Sequence, residues 1–213
     1  MFLEESKKSK FVLASSSPRR KSILGMLNID FISIPPHGII EERFKTPVDT
    51  VIKNSIKKSK NVFDYVKINE DVIPDKKDYF DSVICGFDTI VYFKKKYYFK
   101  PLDINEAEKF LKDFSGNIHS VFTGFCILSL ATGKITTGFE KTNVSFRKLT
   151  ERDIKEYITN EFVLDKAGAY NIEGFGSFLV KRIEGCFYNV AGLPVYSFFG
   201  ALKKAGYGFY DFK

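Results

Sequence analysis

The sequence predicts an α/β fold, a mixed sheet with flanking helices. Three observations lead there. Apolar β-forming runs and segments of helical periodicity alternate from one end of the chain to the other, with no internal repeat and no linker. Capping residues, followed by an acid or a proline, stand directly before the helical segments. The 213 residues are 44% hydrophobic and 28% charged, enough apolar matter for one sizeable core. Wholesale disorder is excluded, and residues 1–213 read as a single domain.

The elements follow in order. Phe11–Ala14 is a short buried strand, and Ser15–Arg20 turns it into a helix with Ile23, Leu24 and Leu27 at helical spacing. Ser17 suits the N-cap, and Pro18 the first helical position, where a missing N–H costs nothing. Phe31–Ile34 is a second strand, closed by Pro35-Pro36. Thr46-Pro47-Val48-Asp49 heads a helix to about Val66, with Val51, Ile52 and Ile56 on one face. The charged segment Lys67–Asp81, with Pro74, reads as an exposed inserted loop without a core contribution. Ser82–Phe93 and Tyr97–Phe99 form a hairpin around Lys94–Lys96. Asp103 to Glu106 caps a helix that ends at Ser115-Gly116. Ser120–Leu130 and Lys134–Phe146 are long strands separated by Thr132-Gly133, and Thr150 to Asp153 caps a short helix. Gly168–Gly176 is glycine-rich, Ser177–Ile183 reads as a strand, and Gly192-Leu-Pro194 opens a last helix that stops at Gly206.

Charge and cysteine usage narrow the functional classes. Lys and Arg number 33 against 26 Asp and Glu, for a net charge of +7, which favours anionic partners without naming one. The lysine runs fit solvated surface. Cys85, Cys126 and Cys186 are widely spaced in apolar, strand-like stretches, with no CxxC pair and only two histidines. A disulfide framework and a zinc site are therefore not expected, and a reducing compartment is. Phe11–Ala14 is too short for a signal core, and the longest uncharged stretches carry Gly, Pro or polar residues. The expectation is a cytoplasmic protein that does not span a membrane.

Several positions can carry chemistry. At Ser15–Arg20 a strand-to-helix turn adds hydroxyls and two guanidiniums to the positive end of a helix dipole, which suits a phosphate; an ordinary capped helix is the plainer alternative. It is not a Walker motif. Asp88 interrupts an apolar strand, so it stands either at an exposed strand end or in a functional site where a cation or hydrogen bonds compensate it. Glu41 and Glu42 are a second carboxylate source, or a solvated loop. Asp165 to Tyr170 sets a charged pair beside small residues that let a ligand approach the backbone. His37 and His119 belong to no nucleophile–base set.

Seven segments in order resemble the signatures of the Maf family of nucleotide pyrophosphatases. They are Ala14–Arg20, Gly86–Val91, Lys100-Pro101, Phe114–His119, Phe146–Thr150, Asp165–Tyr170 and Val190–Pro194. The resemblance implies an elongated, bilobed fold like that of inosine-triphosphatase-type house-cleaning enzymes, with a strongly curved sheet and a central cleft. It also implies cleavage of a nucleoside triphosphate to the monophosphate and pyrophosphate, with a divalent metal (Mg2+, Mn2+ or Co2+), in a homodimer. By the same resemblance Asp88 is the proton acceptor and a metal ligand, and Glu41 is the metal-associated glutamate. Arg19, Arg20, Lys58 and Lys100 contact phosphate, Ser15 and Ser17 line the phosphate turn, and Asp165 and Lys166 bind substrate.

Base choice is divided within the resemblance. Arg19 and Thr89 match the subgroup acting on dTTP and UTP, whereas Glu173 stands where that subgroup has glutamine and is typical of the 7-methyl-GTP subgroup. A carboxylate only accepts hydrogen bonds, while an amide also donates. The expectation is dTTP and UTP as substrates, with a 7-methyl-GTP or broad-specificity enzyme as the alternative. Outside this class, a basic nucleic-acid-binding module or a catalytically silent nucleotide-binding protein would explain the charge. The aromatics lack an RNA-binding stripe, so nucleic acid is not the expected partner.

Overall fold

The computed structural model of the chain describes residues 10–69, 72–73 and 81–213. The charged start of the chain and most of the expected 67–81 loop lie outside the described residues.

Among the described residues, seven strands form one mixed sheet: β1 (Phe11–Ala14), β2 (Phe31–Ser33), β3 (Val83–Phe93), β4 (Lys96–Tyr98), β5 (Ile118–Ser129), β6 (Ile135–Phe146) and β7 (Val180–Glu184). Their order is β2-β1-β3-β5-β6-β7, with β4 paired to β3. β1 runs parallel to both neighbours, with Phe11 opposite Phe31 and Ala14 opposite Gly86. The connection after β1 therefore leads to one side of it, and the connection after β2 to the other. In α/β sheets, ligands settle beyond the carboxyl ends of strands at such a reversal. Lys94 and Lys95, both at positive φ, make the two-residue turn between β3 and β4.

The helices start where the capping residues place them. α1 (Pro18–Met26) has proline in its first turn. α2 (Pro47–Ile68) is capped by Thr46, which accepts from the Asp49 N–H at 3.0 Å. α3 (Ile104–Phe114) is capped by Asp103 and α4 (Glu151–Asn160) by a reciprocal Thr150/Asp153 capping box. A helical turn, α5 (Phe187–Val190), and α6 (Val195–Lys204) follow. Among the described residues, no helix is long and apolar enough to cross a membrane.

The chain divides into two compact units. The first comprises the described residues up to Asp88 with Gly124–Phe139 and Val195–Lys213. Phe11 and Phe125 meet Phe198 edge to face, Phe87 meets it at a tilt, and Phe212 meets Phe11 edge to face; all are fully buried, each ring contributing roughly 2–3 kcal/mol of burial. A second apolar cluster joins Val12, Ala14 and Ile84 to Val62 and Val66 of α2. The second unit comprises Thr89–Thr123 and Glu140–Pro194. There Phe114 packs against Tyr98, Phe146, Tyr170 and His119.

Four local expectations are corrected. The buried face of α2 is largely polar, with Thr50, Asn54, Ser55, Lys58 and Ser59 beside Val51, Val62 and Val66, whereas Ile52 and Ile56 are only half-buried. Two close approaches to glycine explain it: a Cβ on Gly86 would lie 2.7 Å from the Ser55 carbonyl oxygen, and one on Gly124 2.5 Å from the Val51 carbonyl carbon. A helix backbone that close leaves room for small side chains. The 67–81 segment does reach the core, because Ile73 is buried in the cluster with Val12 and Val66. Residues 177–179 belong to a 3-10 turn, Gly174–Leu179, and the strand begins only at Val180. A Cβ on Gly176 would meet the Asn171 carbonyl oxygen at 1.8 Å, so the chain doubles back there. Cys186 lies in the bend before α5, while Cys85 and Cys126 are buried in β3 and β5; all three are free thiols.

Candidate active site

The carboxyl end of β1 opens into α1 through a turn fastened by Ser15. Its hydroxyl oxygen accepts from the Ser17 N–H at 3.2 Å and from Arg20 Nη1 at 2.9 Å, and its carbonyl accepts from the Ser33 hydroxyl. Ser17 holds the N-cap position, but its side chain makes no capping bond. Arg20 is buried, with its guanidinium 5.5 Å from the centre of the Phe87 ring. Burial lowers its pKa to about 10; the Asp88 charge opposes that shift and the neighbouring Arg19 adds to it. Arg19 is half-buried.

Two residues beyond the Ala14–Gly86 pairing, Asp88 lies 1% exposed inside β3, so the exposed-strand-end alternative falls. Its Oδ1 accepts from Lys58 Nζ at 2.6 Å and its Oδ2 from Asn54 Nδ2 at 3.1 Å. The same ammonium donates to Glu41 Oε1 at 2.7 Å and to the Phe87 carbonyl. One cation thus holds two carboxylates together. Burial pushes the Asp88 pKa up and Glu41 adds to this, while Lys58 and the Asn54 hydrogen bond pull it down.

Glu41 is not on a free loop. The segment ahead of α2 returns along that helix in the opposite direction and is tied to it by side chains. Asn61 accepts from the His37 N–H and donates to the His37 carbonyl, at 2.9 and 3.2 Å. Lys57 donates to the Ile40 carbonyl and pairs with Glu42. Asn54 both accepts from and donates to the backbone of Glu42, each at 3.0 Å. Thr50 accepts from the Phe44 N–H. Amides and hydroxyls of one helix thereby do what a neighbouring strand would otherwise do. Asn54, Lys57 and Asn61 were not singled out from sequence. The signal was the polar series Thr50, Asn54, Lys58 and Asn61 at helical spacing inside an otherwise amphipathic helix.

The other expected residues belong to the second unit. Thr89 follows Asp88, and its hydroxyl is 3.0 Å from that of Thr123. Thr123 gives its only proton to the Asn189 carbonyl at 2.9 Å, so Thr89 is the donor of that pair. Asn189 continues this buried network by donating to Val121 and Thr142, and its Oδ1 has no partner among the described residues. Lys100 is exposed between β4 and α3. Lys166 is buried, bonded to the Asp165 carboxylate at 2.7 Å and to the Phe162 carbonyl. Glu173 is half-buried ahead of the 3-10 turn. His119 Nε2 is 2.8 Å from the Tyr170 hydroxyl, and burial among Phe114, Phe146 and Tyr170 lowers its pKa to about 3.

Among the described residues, no three His, Cys, Asp or Glu side chains converge as a self-sufficient metal cage. Glu41 Oε1 and Asp88 Oδ1 do converge on one point, marked by the Lys58 ammonium. Two hard oxygen donors of this kind fit a Mg2+-like ion that takes the rest of its ligands from substrate phosphates and water.

A family model described as "Maf-like protein" matches residues 10–205. A protein of Caldicellulosiruptor saccharolyticus named dTTP/UTP pyrophosphatase is 38% identical over 200 residues, 93% of this chain and 96% of that one. A protein of the same name from Pyrococcus furiosus is 43% identical over 188 residues, covering 87% and 90% of the two chains. Another, from Carboxydothermus hydrogenoformans, is 37% identical and is covered over its full length, by 93% of this chain. Among solved structures, a HAM1 protein from Coxiella burnetii shares 14% identity at a TM-score of 0.39, over 65% of this chain and 73% of that one, too distant to bear on function.

Proposed function

Since the chain belongs to the Maf-like protein family, we propose that it hydrolyses nucleoside triphosphates, dTTP and UTP foremost, to the nucleoside monophosphate and pyrophosphate. The observation that carries the proposal is the cluster of buried Asp88, Lys58 and Arg20 with half-buried Glu41 near the carboxyl end of β1. A buried carboxylate with a raised pKa, kept among cations, suits a base that must take a proton near neutral pH.

In this reading water attacks the α-phosphorus and gives its proton to Asp88. The bond from the α-phosphorus to the bridging oxygen breaks, and pyrophosphate leaves with that oxygen. Arg19, Arg20, Lys58 and Lys100 stabilise charge growing on the phosphate oxygens, the largest aid in reactions of this type. The Ser15 bond to Arg20 aims that guanidinium, and Ser17 lies at the mouth of the turn. Glu41 and Asp88 would hold the divalent ion, which supplies charge neutralisation of the phosphates when bound. Thr89, Asp165, Lys166 and Glu173 are proposed to bind substrate, with base choice assigned to Glu173. We further propose a cytoplasmic homodimer, checked by light scattering for twice 24.4 kDa.

The test is pyrophosphate release from UTP, dTTP, CTP and 7-methyl-GTP with Mg2+, Mn2+ or Co2+. Asp88→Asn is expected to lower turnover at least ~100-fold while the fold persists. Near-normal turnover in that variant overturns the assignment. Glu173→Gln is expected to shift preference further toward UTP and dTTP; a wild type that prefers 7-methyl-GTP selects the alternative substrate class.

A further inference from the structure

Asn54 is fully buried on α2, one helical turn ahead of Lys58. Both N–H groups of its amide and one acceptor position of its oxygen are engaged. Oδ1 accepts from the Glu42 N–H at 3.0 Å, one Nδ2 proton goes to the Glu42 carbonyl at 3.0 Å, and the other goes to Asp88 Oδ2 at 3.1 Å. The backbone of Glu42 decides which end of the amide is nitrogen. Turned over, the amide would set N–H against N–H and oxygen against two oxygens. The donor aimed at Asp88 is therefore imposed by the very segment that carries Glu41.

We propose that Asn54 is a positioning residue, fastening the Asp88 carboxylate to the backbone of residues 41–42 so that the acid, Lys58 and Glu41 form one preset unit. The inference rests on the reading of Asp88 as proton acceptor. Lys58 on Oδ1 and Asn54 on Oδ2 together stop rotation about the Cβ–Cγ bond of Asp88. Arg20 from α1 and Glu41 from the returning segment are further charged groups whose fields reach it. Without Asn54 the carboxylate can turn, and both backbone groups of Glu42 lose their partner.

The experiment compares Asn54→Leu, Asp88→Asn and the double variant for UTP hydrolysis at saturating Mg2+, with amide hydrogen exchange of residues 39–44 as a second readout. Asn54→Leu is expected to lower kcat on the order of 10- to 100-fold, with KM changed less than about threefold, and to speed exchange at the Glu42 amide. In the Asp88→Asn background the same substitution is expected to add less than about twofold, because its effect passes through that carboxylate. An equal loss in both backgrounds, or a kcat for Asn54→Leu within about threefold of wild type, overturns the proposal. Should the leucine variant fail to fold, Asn54→Ser takes its place under the same criteria. A wild-type rate for Asp88→Asn removes the proton-acceptor reading itself, an outcome visible without any change at position 54.

Discussion

Gly86→Ala is the sharpest probe of how α2 sets the candidate site. A Cβ at Gly86 would stand 2.4 Å from Ser59 Oγ, 2.7 Å from the Ser55 carbonyl oxygen and 3.1 Å from the Ser59 nitrogen. The hydroxyl can swing aside, but the other two atoms are helix backbone, so α2 must lift by about half an ångström to restore ordinary contact. Overpacking of this kind costs about 1–3 kcal/mol, or roughly 2–12 °C in melting temperature for a chain of this size. The lift carries Asn54 and Lys58 away from Asp88, where they now stand at 3.1 and 2.6 Å. Since a 1 Å misplacement can cost ~100-fold in rate, a loss on the order of tenfold in kcat is expected. Gly25→Ala in α1, with nothing within 4 Å of the added carbon, is the control and should stabilise by up to ~1 kcal/mol. Thermal melting by circular dichroism and pyrophosphate release read both effects. A Gly86→Ala protein that melts within about 1 °C of wild type with unchanged kcat would refute the reasoning.

Two further outcomes are expected. Lys58→Met leaves Asp88 buried without its cation and should cost about 3 kcal/mol in urea unfolding, whereas Lys58→Met combined with Asp88→Asn should cost less than the single change; strict additivity would refute this. His119, neutral in the folded protein with a pKa of about 3 against an ordinary 6.5, cannot take up the proton that the unfolded chain accepts. Its contribution to stability is therefore intact above pH 6.5 and falls as the pH drops toward 3, by roughly 2 kcal/mol at pH 5. His119→Gln should flatten the stability–pH curve between 6.5 and 5, and an unchanged slope would contradict the burial argument.

What was legible in the sequence is what local chemistry decides. Thr46, Asp103 and Thr150 announce their helices because a cap is settled within four residues. Asp88 was conspicuous because an acid inside an apolar strand demands compensation. The underside of α2 was not legible, because the partners of Asn54 and Asn61 are backbone groups from a segment with no pattern of its own. Ile73 was hidden for a related reason: an apolar pair, Val72-Ile73, in a charged segment is too short to show a period, and only the fold brings it against the cluster of Val12 and Val66. The strand expected at Ser177 failed because the doubling back at Gly176 is imposed by Asn171, a neighbour no propensity reports. In the network from Thr89 through Thr123 to Asn189 the bonded partners stand 34 and 66 positions apart, and it left no local trace.

The two bidentate asparagines of α2 also constrain how the chain's length can vary. They stand seven positions apart, at 54 and 61, and each grips one residue of the returning segment. Inserting or deleting a single residue between them would swing everything downstream by about 100° around the helix axis and unhook one grip. Natural variants should accordingly tolerate many substitutions along this stretch yet no change in its count.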